Sequence, residues 1–312
     1  MIFELILALL IGCLAGTFTG LAPGIHINLV ATFILSVIDK LPFSPLSLAI
    51  FIVSMSITHT FIDFVPSIFL GAPEEDTFLS ILPGHEMFRQ GLGQQAVIII
   101  FYGCLFALPL IIISTPLFIN FLPLIYTSAT KIIPFLLIFM SFYLMFREDN
   151  IPLSIISFLL AGLIGLLSFN LPVKDPLLPL LSGLFGVSSL IVSLKSKTSA
   201  IPQKILKIEQ IKMTKKETLK AIFASLFTPL FSFLPGIGSG HSALFSSELV
   251  PLERKGFLFL TGASSTVIMG LSFVTLYSIN KTRSGTAVAV EQILKEITLS
   301  HLIVILGAIV LS

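Results

Sequence analysis

Four side chains in one short stretch carry the clearest chemistry in this sequence. In "SITHTFIDFVPSIF" (56–69), Thr58, His59, Asp63 and Ser67 recur near helical spacing, so they can share one face of a helix. Asp63 is the one acid well inside the apolar run there. An ionisable group in a membrane helix is costly to bury, so it is read first as functional. The chemistry it suggests is a coupling Na⁺ or H⁺, held by Asp63 and Ser67. The structural alternative is an aspartate capped by backbone groups near an interface. Pro66 has no N–H to give to the carbonyl of Ile62, which frees a further oxygen for a cation.

Two other stretches place polar residues at a break. "GTFTGLAPGIHINL" (16–29) interrupts apolar sequence with Pro23, Gly24, His26 and Asn28. "PLFSFLPGIGSGHSALFSSEL" (229–249) repeats the theme with Pro235, Gly236, Gly238, Ser239, His241 and Ser242. A helix that stops at Pro-Gly leaves carbonyls free, and the half-helix that follows leaves N–H groups free at a positive dipole end. Such groups are tolerated in a membrane where they line a cavity or bind a ligand. The N–H end suits a carboxylate or phosphate, and the carbonyl end a cation. Thr58 and His59 are candidates for the same anion site. A plain kink or a short turn outside the membrane is the bland alternative.

The two stretches match in their surroundings. Each is followed by a proline turn (Pro42, Pro251) and then by a span carrying hydroxyls. These are Ser54, Ser56, Thr58 and Thr60 in one half, and Thr261, Ser264, Ser265 and Thr266 in the other. Ser264 and Ser265 therefore join Asp63 and Ser67 as candidate cation ligands. Broken helices at matching positions of two halves are the mark of an inverted-topology repeat.

His26, His59, His85 and His241 fall in these unusual segments, whereas His301 does not. No spacing matches a zinc motif, and "HEMFR" (85–89) lacks the second histidine of H-E-x-x-H. No metal or other cofactor is expected beyond a coupling ion. Cys13 and Cys104 sit in apolar runs and read as packed small residues.

The elements that must position these groups are apolar helices. The chain has 312 residues, 55% hydrophobic and 11% charged, against about 25% charged in a soluble domain. Candidate spans fall at about 2–22, 25–41, 46–70, 94–115, 119–146, 151–169, 177–194, 218–234, 237–250, 256–279 and 297–312. The expected fold is an all-α polytopic membrane protein of 10–11 hydrophobic segments, arranged as two inverted repeats broken at Pro-Gly. Residues 1–115 form the first repeat, 116–217 the middle helices with a basic loop, and 218–312 the second repeat. Eight of the eighteen Lys and Arg residues lie between Lys195 and Lys220, which places that loop in the cytoplasm and the N-terminus outside. "MIFE" has an acid where a signal peptide carries a basic region. Segments 71–93 and 280–296 are too polar for lipid and read as re-entrant or cavity-lining. No Lys or Arg falls inside a span near either Pro-Gly.

These motifs resemble those of the large membrane subunit of tripartite tricarboxylate transporters, in a short stand-alone form of the kind seen in archaea. The family's opening Gly-x-x-x-Gly-x-x-Pro-Gly is matched by Gly16, Gly20, Pro23 and Gly24. Its second motif is matched by "APEEDTFLSILPGHEMFRQG", with Ala72, Pro73, Glu75, Gly84, Met87, Arg89, Gln90 and Gly91 in register. The departures are Glu74 for Gly, Pro83 for Asp and His85 for Tyr. Pro73, Glu75, Asp76, Gly84 and His85 are thereby candidate gate or motif residues. The match is strongest over 16–97, weaker over 229–270, and is not traced through 100–217.

The resemblance implies a secondary transporter in the cell membrane, cation-coupled, moving an organic anion past the two Pro-Gly regions. It also implies a small membrane subunit and a binding protein as possible partners. No enzymatic activity and no nucleic-acid partner are expected. A translocase for a lipid phosphate, such as a polyprenyl phosphate carrier, is the alternative. It would use the same N–H ends and add a lateral portal for the tail. An intramembrane enzyme is a third reading, but no nucleophile–base spacing supports it.

Overall fold

The computed structural model describes residues 2–71, 78–172, 180, 182–188, 191, 201–282 and 284–312. Among them the regular structure is helical throughout, with no strand. The helices are α1 (Ile2–Leu21), α2 (Ile27–Val37), α3 (Pro45–Ile62), α4 (Phe64–Leu70), α5 (Phe78–Arg89), α6 (Gly93–Arg147) and α7 (Ile151–Phe169). They continue with α8 (Lys215–Ser225), α9 (Ser239–Leu249), α10 (Arg254–Ile279), α11 (Gly285–Leu294) and α12 (Leu299–Leu311). Five stretches are long and apolar enough to cross a membrane: α1, the α3–α4 pair, α6, α7 and α10. Three shorter apolar helices, α2, α11 and α12, accompany them.

Small residues let the backbones of the core helices meet. A Cβ on Gly12 would lie 2.6 Å from the Phe51 carbonyl, and one on Gly20 would lie 2.8 Å from Ile62 Cβ. Gly16, between them, faces Met55 and Thr58. The residue numbers rise together, so α1 runs parallel to α3. The same device joins α6 to α10: Gly103 faces the Phe259 backbone and Gly262 the Ile100 backbone. Close approach through glycine maximises van der Waals contact where lipid supplies no hydrophobic drive between helices.

Helix α10 is the buried centre of the molecule and runs antiparallel to α3. Thr60 and Thr266 share a hydrogen bond at 3.0 Å. Farther along, Ile68 and Leu258 both approach Gly84. The start of α10 defines one end of the protein. There Glu217 accepts from the Gly256 N–H at 3.0 Å, and Gln203 accepts from the Gly93 N–H at 2.9 Å. Arg147 reaches the same end, where it pairs with Glu248, three residues before Pro251. Lys204, Lys207, Lys212, Lys215, Lys216 and Lys220 belong to this part of the chain, so we call it the basic end.

A straight helix of α6's 55 residues would extend about 80 Å. Both its termini sit at the basic end, so α6 runs out beside α10 and folds back. Pro109, Pro116, Pro123 and Pro134 each remove a backbone donor inside it and make such bending cheap.

Two hairpins flank this centre. The first begins at the end opposite the basic one, where Glu4 accepts from the Ser44 N–H at 2.8 Å. Helix α1 rises beside α3 to Leu21, the chain breaks at 22–26, and α2 returns against α11 and α3, with Ile34 lining an apolar cavity also lined by Leu7 and Phe51. The second begins at the basic end. Helix α8 continues through a 3₁₀ turn at Thr228–Phe231 to the level of Ser264, where Thr228 bonds the Ser264 hydroxyl at 3.0 Å. The chain breaks at 232–238, and α9 returns, packing Ala243 with Ala224, Val250 and Leu260.

These hairpins correct the expected count of crossings. The spans read at 25–41, 218–234 and 237–250 are short arms rather than full passages, whereas α1, read at 2–22, has the length of a crossing. An 11-residue arm such as α2 or α9 covers about 16 Å, half of a hydrocarbon core of about 30 Å. The spans read at 94–115 and 119–146 share the one helix α6. The span read at 177–194 lies largely outside the described residues.

Candidate functional site

The first break is a left-handed turn. Gly24 takes φ 89°, a conformation open to glycine because it has no Cβ. His26 then caps α2, its Nδ1 accepting from the Asn28 N–H at 3.2 Å. The His26 ring lies 6.1 Å from that of His59 on α3. His59 Nδ1 is 3.0 Å from the Thr19 hydroxyl, and its Nε2 is 4.0 Å from an Asp63 carboxylate oxygen. Asp63 sits at the junction of α3 and α4, only 2% exposed, and its carbonyl accepts from the Ser67 hydroxyl at 2.9 Å. The structure thus brings Thr19, His26, His59, Asp63 and Ser67 together. Thr58 Oγ1 is buried beside Gly16 and has no hydrogen-bond partner among the described residues.

A third element closes over this break. After α10 ends, Asn280 turns left-handed at φ 51°, and the chain runs back inward. Ser284 and Thr286 both reach the Met269 sulfur at 3.7 Å. Gly285, at the start of α11, lies so close to Asn28 that a Cβ there would meet its Cγ at 2.8 Å. Asn28 Oδ1 is buried and unpartnered among the described residues. Nothing in the spacing of Asn28 and Gly285, 257 positions apart, signalled this contact.

The second break repeats the turn. Gly236 takes φ 76°, and a Cβ there would meet nothing within 4 Å. Gly238 caps α9, whose buried face carries Ser239, Ser242 and Ser246. Ser242 and Ser246 hydroxyls have no hydrogen-bond partner among the described residues. His241 Nδ1 lies beside Gly238. Of the hydroxyls on α10, Ser264 is engaged by Thr228, and Ser265 is buried and unpartnered among the described residues. Beside Pro235 a cavity of about 230 Å³ opens, lined by Tyr126, Ser232, Thr275, Lys281 and Thr282 among others. No Lys or Arg stands inside a span here, but Lys281, just beyond the end of one, lines this cavity. Lys281 follows α10 by two residues, and the Asn280 turn returns it to the second break, 46 positions away in sequence.

The remaining candidates are dispersed. His85 Nδ1 pairs with the Ile68 carbonyl at 2.8 Å, and its ring lies 5.4 Å from that of Phe88. Gly84 fits between Ile68 and Leu258. Both are packing positions at the α4–α5 contact, apart from the breaks. Pro73, Glu75 and Asp76 lie outside the described residues. Among the described residues no cluster of three His, Cys, Asp or Glu side chains forms a metal site.

The tripartite tricarboxylate transporter TctA family matches residues 6–305. An uncharacterized protein of Methanocaldococcus jannaschii is 30% identical over 298 residues, covering 92% of this chain and 72% of the relative. No solved structure matches.

Proposed function

The chain belongs to the tripartite tricarboxylate transporter TctA family, and from that premise we propose that it is a secondary transporter of small organic anions, carboxylates, driven by a Na⁺ or H⁺ gradient. The family is one of membrane transporters rather than enzymes, and the apolar helices make the chain an integral membrane protein.

The observation that carries the reading is the paired break. Gly24 and Gly236 adopt the same left-handed turn, at φ 89° and 76°, each at the tip of a hairpin laid along a long helix. The hairpins enter from opposite ends, and their supporting helices, α3 and α10, are antiparallel and bonded through Thr60 and Thr266. We read 1–115 and 218–312 as inverted repeats about the 116–217 middle, a design in which half-helix ends bind the substrate and its coupling ion. On this reading Pro23, Gly24, His26, Asn28, Thr58 and His59 face the anion from one side. Pro235, Gly236, Gly238, Ser239, His241 and Ser242 face it from the other. Asp63 and Ser67, with Ser264 and Ser265, serve the cation. The basic end is cytoplasmic and the N-terminus outside, by the distribution of lysines. The family's tripartite arrangement makes a small membrane subunit and a binding protein the partners to test.

The test is a thermal-shift screen on detergent-purified protein, with organic acids and short polyprenyl phosphates, each with and without Na⁺. A ligand at a hundred times its Kd stabilises the folded state by about 2.7 kcal/mol. The reading expects a carboxylate to raise the melting temperature, more so with Na⁺ or at lower pH. A shift from the lipid phosphate alone would replace it with a lipid-phosphate translocase.

A further inference from the structure

The cavity at the second break meets the paired half-helix scheme at Pro235, and the rest of its lining has a distinct chemistry. Lys281 is the one charged side chain among the residues that line it. The hydroxyl-bearing residues Tyr126, Ser232, Thr275 and Thr282 share the wall, and Phe233, Pro235 and Ile279 form its apolar part. Ser232 and Thr275 donate to the carbonyls of Pro229 and Ser272 at 2.8 and 2.9 Å, which leaves their oxygens fixed in place. Lys281 itself makes no ion pair and no hydrogen bond among the described residues. The described residues that line the cavity offer it no carboxylate.

Position argues against an ordinary anchoring lysine. Helix α10 begins at the basic end and spans 26 residues, about 39 Å, so Lys281 lies at the other end of the molecule. That end is the one where the lysine distribution predicts few cations. The left-handed turn at Asn280 also directs the chain back toward the hairpin tip instead of outward. A cavity of about 230 Å³ is smaller than the roughly 300–1,000 Å³ of sites for drug-sized ligands, and so fits a small acid.

We propose that this cavity is a carboxylate-binding subsite at the mouth of the transport path, with Lys281 supplying the charge that holds one carboxylate of the anion against the Pro235 turn. The proposal rests on the transporter reading above and adds the group that selects for a negative charge. One lysine matches one carboxylate. Any further carboxylate on the substrate is left to the half-helix N–H groups and to a co-bound cation.

The experiment compares wild type, Lys281→Gln, Lys281→Arg and, as a control at the same end, Lys40→Gln. Binding of acetate, succinate and citrate is titrated by thermal shift in detergent, and the melting temperature without ligand is recorded for each variant. Lys281 is exposed and unbonded, so the ligand-free melting temperatures should agree closely. The proposal expects Lys281→Gln to weaken binding of the effective acid about 10- to 100-fold, as loss of a charge-assisted contact does. Lys281→Arg should recover most of it, and Lys40→Gln should bind like wild type. Unchanged binding in Lys281→Gln, with a clear wild-type shift, would overturn this subsite and leave the transporter reading standing. No shift from any acid in wild type would overturn both.

Discussion

The two Pro-Gly turns share a backbone and differ in everything around it. The first is half-buried and the more enclosed. His26 caps the helix that leaves it, His59 and Asp63 lie beneath it at 4% and 2% exposure, and the start of α11 presses on Asn28. The second is open. Gly236 has empty space on its Cβ side, and the neighbouring Pro235 borders a cavity that holds a lysine. The contrast teaches that a helix break is only a set of free backbone groups. Neighbouring side chains decide how enclosed those groups are and what charge stands beside them. Here the acid stands at the enclosed break and the base at the open one.

Breaking that comparison begins with the change of largest effect. Gly16→Leu drives a side chain into the Met55 backbone and Thr58 Cβ, beside the enclosed turn. It should cost ~3 kcal/mol or more and leave little folded protein. Gly236→Leu makes the same change in open space and should cost about 1–2 kcal/mol, from the left-handed backbone alone. Melting temperatures in detergent separate the two, and equal losses would end the distinction between enclosed and open.

Asp63→Asn tests function at the enclosed side. The variant should fold, bind the anion, and lose its dependence on the coupling cation, measured as uptake against an imposed gradient. Retained coupling would remove Asp63 from the cation site. Lys281→Gln should do the reverse, raising KM for the anion while the cation dependence persists.

Gly24→Ala and Gly236→Ala sharpen the shared part of the comparison. Both turns have positive φ, so each change should lower stability by about 1–2 kcal/mol. A loss at one position only would mean that the two turns are not equivalent. The smallest effect concerns the seam between the halves. A double-mutant cycle of Thr60→Val and Thr266→Val should give a coupling of about 0.5–1.5 kcal/mol, seen as non-additive melting shifts.

The parts of this site that were legible in sequence are those set by local chemistry. Pro23-Gly24 and Pro235-Gly236 announce breaks because proline removes a donor and glycine admits a left-handed turn. Asp63 stands out because an acid in an apolar run is rare. The resemblance to the family was carried by such local signatures, including the Gly16 and Gly20 pair that the structure places against α3. What escaped depends on distant contacts. That α2 and α9 turn back as short arms is fixed by which helix each packs on. The reversal of α6 is set by its two anchored ends, at Gln203 and Glu248. Lys281 reads as a residue beyond the end of a span, and only the Asn280 turn brings it to Pro235. His85 shows the same dependence on a distant partner. Its place in a motif drew notice, while its partner is a backbone carbonyl on α4.

The central claim is tested most directly by uptake of labelled carboxylates into proteoliposomes, with a Na⁺ or H⁺ gradient imposed in turn, for wild type and Asp63→Asn. The account predicts accumulation of at least one small acid by wild type only when one of those gradients is present, and uptake by Asp63→Asn that neither gradient raises. Wild-type vesicles that take up no acid under either gradient, or that take it up equally without one, would contradict it.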